Sequence, residues 1–306
     1  MAKRILVAGS SNIDFRLTTP YIPAPGETMI SEGRYNFAAG GKGANAAVAA
    51  ASLGADVVFC SRVGDDAYGD RLIALFGEKG IDTRYVKVDK TEQTGLNVVM
   101  LEKSGSNRII SYSGANSKIS DIDVEAAFSC YPDGVLVQFD LREEAVIAAA
   151  RNANYENLPL FVDAGSVTSK FPLERLEKIE IISPNEAETE ALTGIRPSNL
   201  ENCLRASIAL CNKVDIRYVV LKLGNRGCYV YDGKYCDLIS PVEVSVVDKT
   251  AAGDVFTAAL ATEYLRTGDI LASARFANAA GALTVSRSGS IASVPTLEEV
   301  RAILNN

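Results

Sequence analysis

The chain has 306 residues, 47% of them hydrophobic and 23% charged, an ordinary globular balance with ample material for a core. Its net charge of −7 argues against a nucleic-acid or anionic-membrane surface, since both want a basic face. No histidine occurs, which excludes Ser-His-Asp and Cys-His machinery, disfavours a zinc enzyme, and leaves proton transfer near neutral pH to Asp, Glu, Lys, Tyr or Cys.

Ile5–Ala8 predicts a buried strand that ends in a turn at Gly9, Ser10 and Ser11. Residues 16–37 carry Pro20, Pro23 and Pro25 among scattered β formers and predict a loop with short exposed strands. The alanine-rich stretch 44–53 predicts a helix stopped by Gly54; 55–64 predicts a strand, and 66–80 a helix capped by Gly80. Residues 94–114 read as a hairpin around Ser104, Gly105, Ser106 and Asn107. After that the rhythm is regular. Strands are expected at 134–139, 158–165, 179–185 and 217–224, with helices at 142–153, 186–192 and 199–213. A small hairpin follows at 227–240, then a strand "VEVSVV" at 242–247 and a helix at 255–267 closed by Gly268.

Strands alternating with helices predict an α/β fold, a central mostly parallel sheet flanked by helices on both faces. The segments 15–36 and 94–114 break that rhythm and are expected to form a small β-sheet lid. Residues 1–14, 37–93 and 115–306 then make one core. The six cysteines, Cys60, Cys130, Cys203, Cys211, Cys228 and Cys236, form no C-x-x-C pair and read as separate buried or half-buried thiols of a reducing compartment. The N-terminal apolar run is too short for a signal-peptide core, and no stretch of about 18 apolar residues occurs, so a soluble cytoplasmic protein is expected.

In open α/β sheets ligands bind beyond the carboxyl ends of the strands, which draws attention to three stretches. In "GSSNID", Asn12 and Asp14 lie two apart, on one side of an extended segment, where they suit a polyhydroxylated ligand; an Asx-turn with a cap-like Asp explains them equally well. In "AAGGKGANAAVAAA", the glycines Gly40, Gly41 and Gly43 allow close backbone approach. A tight strand-to-helix turn explains those glycines but not Lys42 and Asn45. Neither Walker A nor G-x-G-x-x-G fits. In "VVDKTAAGDVF", the small residues Ala251, Ala252 and Gly253 precede a helix, so their N–H groups make an anion hole, with Asp254 in the first turn. A capping Asp is the plain alternative, yet a cap does not require three small residues upstream. A carboxylate beside an anion hole suits phosphoryl transfer to an alcohol: it takes the proton while the N–H groups neutralise the moving phosphoryl group.

Together with "PAPGET", "VGDDAYG", "SPNEAE", "KLGNRG" and "SRSGSIASVP", these stretches resemble, in order and spacing over nearly the whole chain, the ribokinase-like family of carbohydrate kinases. The form "GGKGAN" with "NID" upstream is most similar to its ribokinase branch. The resemblance implies a ribokinase-like sheet with a lid that pairs two subunits into a homodimer, and an ATP-dependent kinase acting on a primary hydroxyl of a sugar. D-ribose to D-ribose 5-phosphate is the leading choice. It implies that Asp254 is the base and that Ala251, Ala252 and Gly253 form the anion hole. Asn12, Asp14, Gly41, Lys42, Asn45 and Asp140 would hold the sugar. Asn185 and Glu188 match the family's N-x-x-E motif, which organises Mg²⁺ and phosphate; Lys222, Gly224, Gly227 and Asn278 would contact ATP. Asp248, Thr250, Thr284, Arg287, Gly289 and Ser293 match the positions of a monovalent-cation site, K⁺ in the family.

The sequence departs from that pattern at four places. Asp163, Ala164, Gly165 and Ser166 stand where ribokinases have Asn-Pro-Ala-Pro. Asp140 is one methylene shorter than the usual Glu, Lys249 replaces a common Thr, and Asn278 stands where some members have His. The first two touch the sugar side of the cleft or lie near it, so fructose, a modified sugar or a nucleoside are alternative substrates. A non-catalytic sugar- or nucleotide-sensing protein would lack the second aspartate or the small-residue hinge, and a nicotinamide-dependent dehydrogenase would carry G-x-G-x-x-G after the first strand.

Overall fold

The computed structural model describes residues 2–31, 33–102, 107–167 and 171–305. The chain begins with β1 (Arg4–Ala8), whose Ile5 and Val7 enter one apolar cluster while Leu6 and Ala8 enter another. A strand buried on both faces needs helices on both sides, and the rest of the chain supplies them.

Next come β2 (Asn12–Thr19), β3 (Tyr35–Gly40), α1 (Lys42–Ser52), β4 (Asp56–Gly64), α2 (Ala67–Glu78), β5 (Val86–Asp89), β6 (Gly95–Glu102) and β7 (Asn107–Tyr112). The middle part holds α3 (Asp121–Ala127), β8 (Gly134–Gln138), α4 (Glu143–Tyr155), β9 (Leu160–Asp163), β10 (Lys178–Ser183), α5 (Glu186–Thr193) and α6 (Leu200–Cys211). The last part holds β11 (Asp215–Lys222), β12 (Cys228–Tyr231), β13 (Cys236–Ile239), α7 (Ala252–Thr267), α8 (Ile270–Val285) and α9 (Leu297–Leu304).

The main sheet has nine strands in the order β13-β12-β11-β10-β9-β8-β1-β4-β5. From β5 to β11 all neighbours are parallel, and the β12–β13 hairpin extends the edge antiparallel. The chain leaves β1 for β4 on one side and reaches β8 on the other, so a topological switch point opens beyond the carboxyl ends of β1 and β8. The second sheet has the order β3-β2-β6-β7 and is mixed: β2 and β6 run parallel, the outer pairs antiparallel.

The structure departs from the sequence reading over 242–247 and at Cys236. "VEVSVV", expected as a strand, forms none; Val246 and Val247 stand exposed, and the N–H groups of Val247 and Asp248 both donate to the Val285 carbonyl at the end of α8. Its β-branched residues favour a pleated surface, but no sheet edge is offered to them. The elements β5, α3, α8 and α9 go beyond that reading. Residues 104–106 of the hairpin turn lie outside the described residues. All six cysteines are free, and Cys236 is exposed rather than half-buried.

Candidate active site

α7 starts in an unusual way. Its N-cap residue is Ala251, at φ 63°, ψ −2°, with no side-chain cap. A non-glycine residue in the left-handed region costs of order 1–3 kcal/mol and is retained where the surroundings enforce it, often at functional sites. The Val255 N–H donates to the Ala251 carbonyl (2.9 Å) and the Ala252 N–H makes a long contact with the Lys249 carbonyl (3.4 Å). A contact that long holds the Ala252 N–H only weakly, and the other first-turn N–H groups have no partner within the helix, as at any helix start.

Asp254 sits in this first turn, and it is not the cap. Its carboxylate turns away from its own helix: Oδ2 accepts from Asn45 Nδ2 (2.8 Å) and Oδ1 lies 3.8 Å from Lys42 Nζ. Both partners belong to α1, which begins at Lys42 after Gly41. Gly41 has φ 95°, and a Cβ there would lie 2.8 Å from the Ser10 carbonyl, so only glycine lets the helix start so close to the loop after β1. Burial pushes the Asp254 carboxyl up to about 6 against the pull of Lys42, with Asp163 adding to the rise and Asn45 and Lys222 opposing it. A carboxylate poised near neutrality is suited to general-base work. In turn Asp254 holds the Lys42 ammonium above its ordinary range, despite the cost of burial.

Around this pair stand the strand ends of the switch point. Asp140 follows β8, accepts from Ser10 Oγ through Oδ2, and keeps Oδ1 buried without a partner. Asn45 Oδ1 is likewise buried and unpartnered. Buried acceptors left open call for donors such as the hydroxyls of a ligand. Burial also raises the Asp140 carboxyl, with Ser10 and Lys42 opposing.

Asn12 and Asp14 are strand residues of β2, not an Asx-turn or a cap. Asn12 Oδ1 accepts from Asn116 Nδ2 (2.8 Å), and Asp14 Oδ1 accepts from Asn97 Nδ2 (2.8 Å). Burial raises the Asp14 carboxyl, while Asn97 and Arg16 oppose. Arg16 reaches further, to Asp248 Oδ2 at 3.3 Å.

Asp248 acts as the anchor of the loop before α7. Its Oδ1 accepts from the Thr250 N–H (2.9 Å) and hydroxyl (2.6 Å), and its Oδ2 accepts from the Gly289 N–H (3.1 Å). Burial pushes this carboxyl up, but these bonds and Arg16 leave it below its ordinary value. Thr284 and Ser293 are buried, their hydroxyls bonded to the carbonyls of Ala280 and Ser290. The Arg287 guanidinium pairs with Glu299 (2.6 and 3.2 Å) and carries no acceptor, so Arg287 can offer a cation only its backbone carbonyl.

On the other side, Asn185 and Glu188 form the capping box of α5, with Glu188 Oε1 and Oε2 accepting from the Asn185 amide and backbone N–H (2.7 and 2.8 Å). Gly224 and Gly227 shape the β11–β12 turn; at Gly227, φ 83°, a Cβ would lie 2.0 Å from the Ile239 carbonyl. Asn278 clamps the following loop, its Nδ2 donating to the Ile239 and Ser240 carbonyls (3.3 and 3.1 Å). Lys222 is different: its ammonium turns toward α7, onto Asp163 Oδ1 (3.2 Å) and Thr257 Oγ1 (3.3 Å). Among the described residues no three His, Cys, Asp or Glu side chains stand together as a metal cage. No helix among them is long and apolar enough to cross a membrane. Thr168–Lys170, in the stretch where the sequence departs from the ribokinase-like pattern, lie outside the described residues.

Sequence reasoning missed Ser10, Asn97, Asn116 and Thr257, and took Asp163 only as a departure. Their partners are assembled by sheet pairing and helix packing, which local spacing does not display.

The profile that defines pfkB family carbohydrate kinases matches residues 2–297. The chain is 34% identical to the ribokinase of Haemophilus influenzae, covering 100% of both, and 33% identical to that of Staphylococcus aureus, covering 99% of this chain and 100% of the other. It superposes on the solved structure of Arabidopsis thaliana ribokinase complexed with ribose and ATP with a TM-score of 0.92, at 34% identity over 100% of both chains.

Proposed function

This chain belongs to the pfkB family of carbohydrate kinases, and on that premise we propose that it transfers the γ-phosphate of ATP to a primary hydroxyl of a sugar, D-ribose to D-ribose 5-phosphate. The observation that carries the reading is Asp254: a buried carboxylate at a helix start, free of capping duty and held by Lys42 and Asn45.

Asp254 takes the proton of the sugar hydroxyl as that oxygen attacks the γ-phosphorus. The N–H groups of Ala251, Ala252 and Gly253 face the charge on the transferring group, worth several kcal/mol in a site shielded from water. Asn12, Asp14, Gly41, Lys42, Asn45 and Asp140 orient the sugar, with the open acceptors of Asn45 and Asp140 taking its hydroxyls. Lys222, Gly224, Gly227 and Asn278 serve the nucleotide. Mg²⁺ offsets phosphate charge when bound with ATP; Asn185 and Glu188 fit its organisation, since each Glu188 oxygen keeps a lone pair beyond the capping box. The donors for a monovalent cation, K⁺ in the resemblance, come from Asp248, Thr250, Thr284, Arg287, Gly289 and Ser293, mostly as carbonyl oxygens. They fit because Asp248 ties Thr250 and Gly289 together.

Residues 15–36 and 94–114 form the lid. Its edge strand β7 exposes Ile109 and Ile110 on opposite faces, and Tyr35 is exposed across the sheet. A second lid would cover them, giving a cytoplasmic homodimer whose mass light scattering reads directly. Release of ADP over a panel of pentoses, hexoses and nucleosides tests the activity. Ribose is expected to turn over fastest; a folded protein that turns over none of them refutes the proposal, and a preference for fructose, a modified sugar or a nucleoside moves the substrate assignment to that class.

A further inference from the structure

We propose that Asp163 is a positioning residue for phosphoryl transfer, holding the Lys222 ammonium against the first turn of α7 where it meets the transferred group. The inference rests on the kinase reading above and assigns a part of it to a residue outside the three site stretches.

Asp163 ends β9 and is only 1% exposed. Its carboxylate is fully engaged. Oδ1 accepts from Lys222 Nζ (3.2 Å) and the Gly165 N–H (3.0 Å), and Oδ2 accepts from Thr257 Oγ1 (2.8 Å). Thr257 lies one turn into α7, and its hydroxyl also stands 3.1 Å from the Gly253 carbonyl. Lys222 Nζ sits 3.5 Å from where a Cβ on Gly253 would be, so the ammonium rests against the backbone of the anion hole itself.

A helix N-terminus is a centre of positive charge, and an ammonium beside it is repelled. Asp163 is the carboxylate that holds it there. With the N–H groups of α7, Lys222 puts positive charge on the side of the site that a phosphoryl group would approach. The charged groups facing Asp254 are Lys42 from α1, Asp163 from β9 and Lys222 from β11; Asp140 and Glu188 act on Lys42. A tie that only braced β9 against β11 would lower stability and leave kcat of the folded variants near normal.

The test is kinetic. Asp163→Asn leaves Lys222 without its counter-charge, and Lys222→Met leaves Asp163 without its own. Both should lower kcat by about 10- to 100-fold with the sugar KM within about 3-fold. Their acid limbs in kcat/KM should move in opposite directions: to lower pH for Asp163→Asn, to higher pH for Lys222→Met. The double variant should be no slower than the slower single one. Should Asp163→Asn fail to fold, Lys222→Met decides by its kcat, which a mere brace would leave near normal. Near-normal kcat or unmoved limbs, with only a lower melting temperature, would overturn the proposal. Because Asp254→Asn tests the base separately, an inactive Asp254→Asn beside a normal Asp163→Asn removes this inference alone.

Discussion

Replacing Lys42 by Met removes the cation that keeps Asp254 ionised. At 3.8 Å the pair interacts by about 4 kcal/mol at an effective dielectric of 20. The Lys42 side chain is 35% exposed, and solvent screening reduces that to about 1–2 kcal/mol, roughly one pH unit. The Asp254 carboxyl, pushed up to about 6 by burial, should then titrate about one unit higher than in the parent. The assay is kcat/KM for the sugar at saturating ATP, measured from pH 5 to 9 by ADP release, since this quantity reports the sugar-free enzyme. Below its midpoint the rate should fall about tenfold per pH unit, and the Lys42→Met curve should lie about one unit to the right of the parent's. Lys42 is also expected to bind sugar, so a uniform drop is superimposed. A uniform drop with an acid limb unmoved from the parent's would refute the electrostatic link between Lys42 and Asp254.

Burial makes Asp254 costly to ionise, so its contribution to stability is complete below its ordinary 3.8 and is lost as pH rises through about 6. Asp254→Asn should therefore raise the melting temperature of the ligand-free protein at pH 7.5, by the equivalent of up to about 3 kcal/mol. The gain should shrink toward pH 4.5, and a gain that grows toward acid would contradict the assignment. Asp140→Asn exchanges the open Oδ1 acceptor for a donor and should raise the sugar KM about tenfold or more while kcat holds, as steady-state kinetics would read. Gly227→Ala places a methyl 2.0 Å from the Ile239 carbonyl at a positive φ and should cost about 2 kcal/mol or more in denaturant unfolding.

The alternation of strands and helices was legible because parallel strands are apolar runs and their helices carry clear stops, as at Gly54, Gly194 and Gly268. "VEVSVV" misled because β propensity reports a fit to a sheet that this segment never meets. At the site, Asp254 could be read from the sequence, since three small residues before a helix mark a backbone that something approaches. Asn97 could not. It stands opposite Asp14 only because β2 and β6 pair in parallel with that register. The same register sets Gly95 opposite Asn12, and a Cβ there would lie 2.2 Å from Asn12 Oδ1 and 2.3 Å from Asn116 Nδ2. The Asn12–Asn116 bond thus depends on a glycine whose role appears only once the strands are paired. Asp163 was visible as a departure from the family, but its meaning lies in Lys222, 59 residues away.

The central claim is that Asp254 takes the proton. The direct measurement is turnover by Asp254→Asn with the sugar that the parent protein phosphorylates fastest, alongside calorimetric binding of that sugar. Sugar affinity within about threefold of the parent and a loss of turnover of about 10²- to 10⁴-fold are predicted. Turnover within about tenfold of the parent, at unchanged affinity, would contradict it.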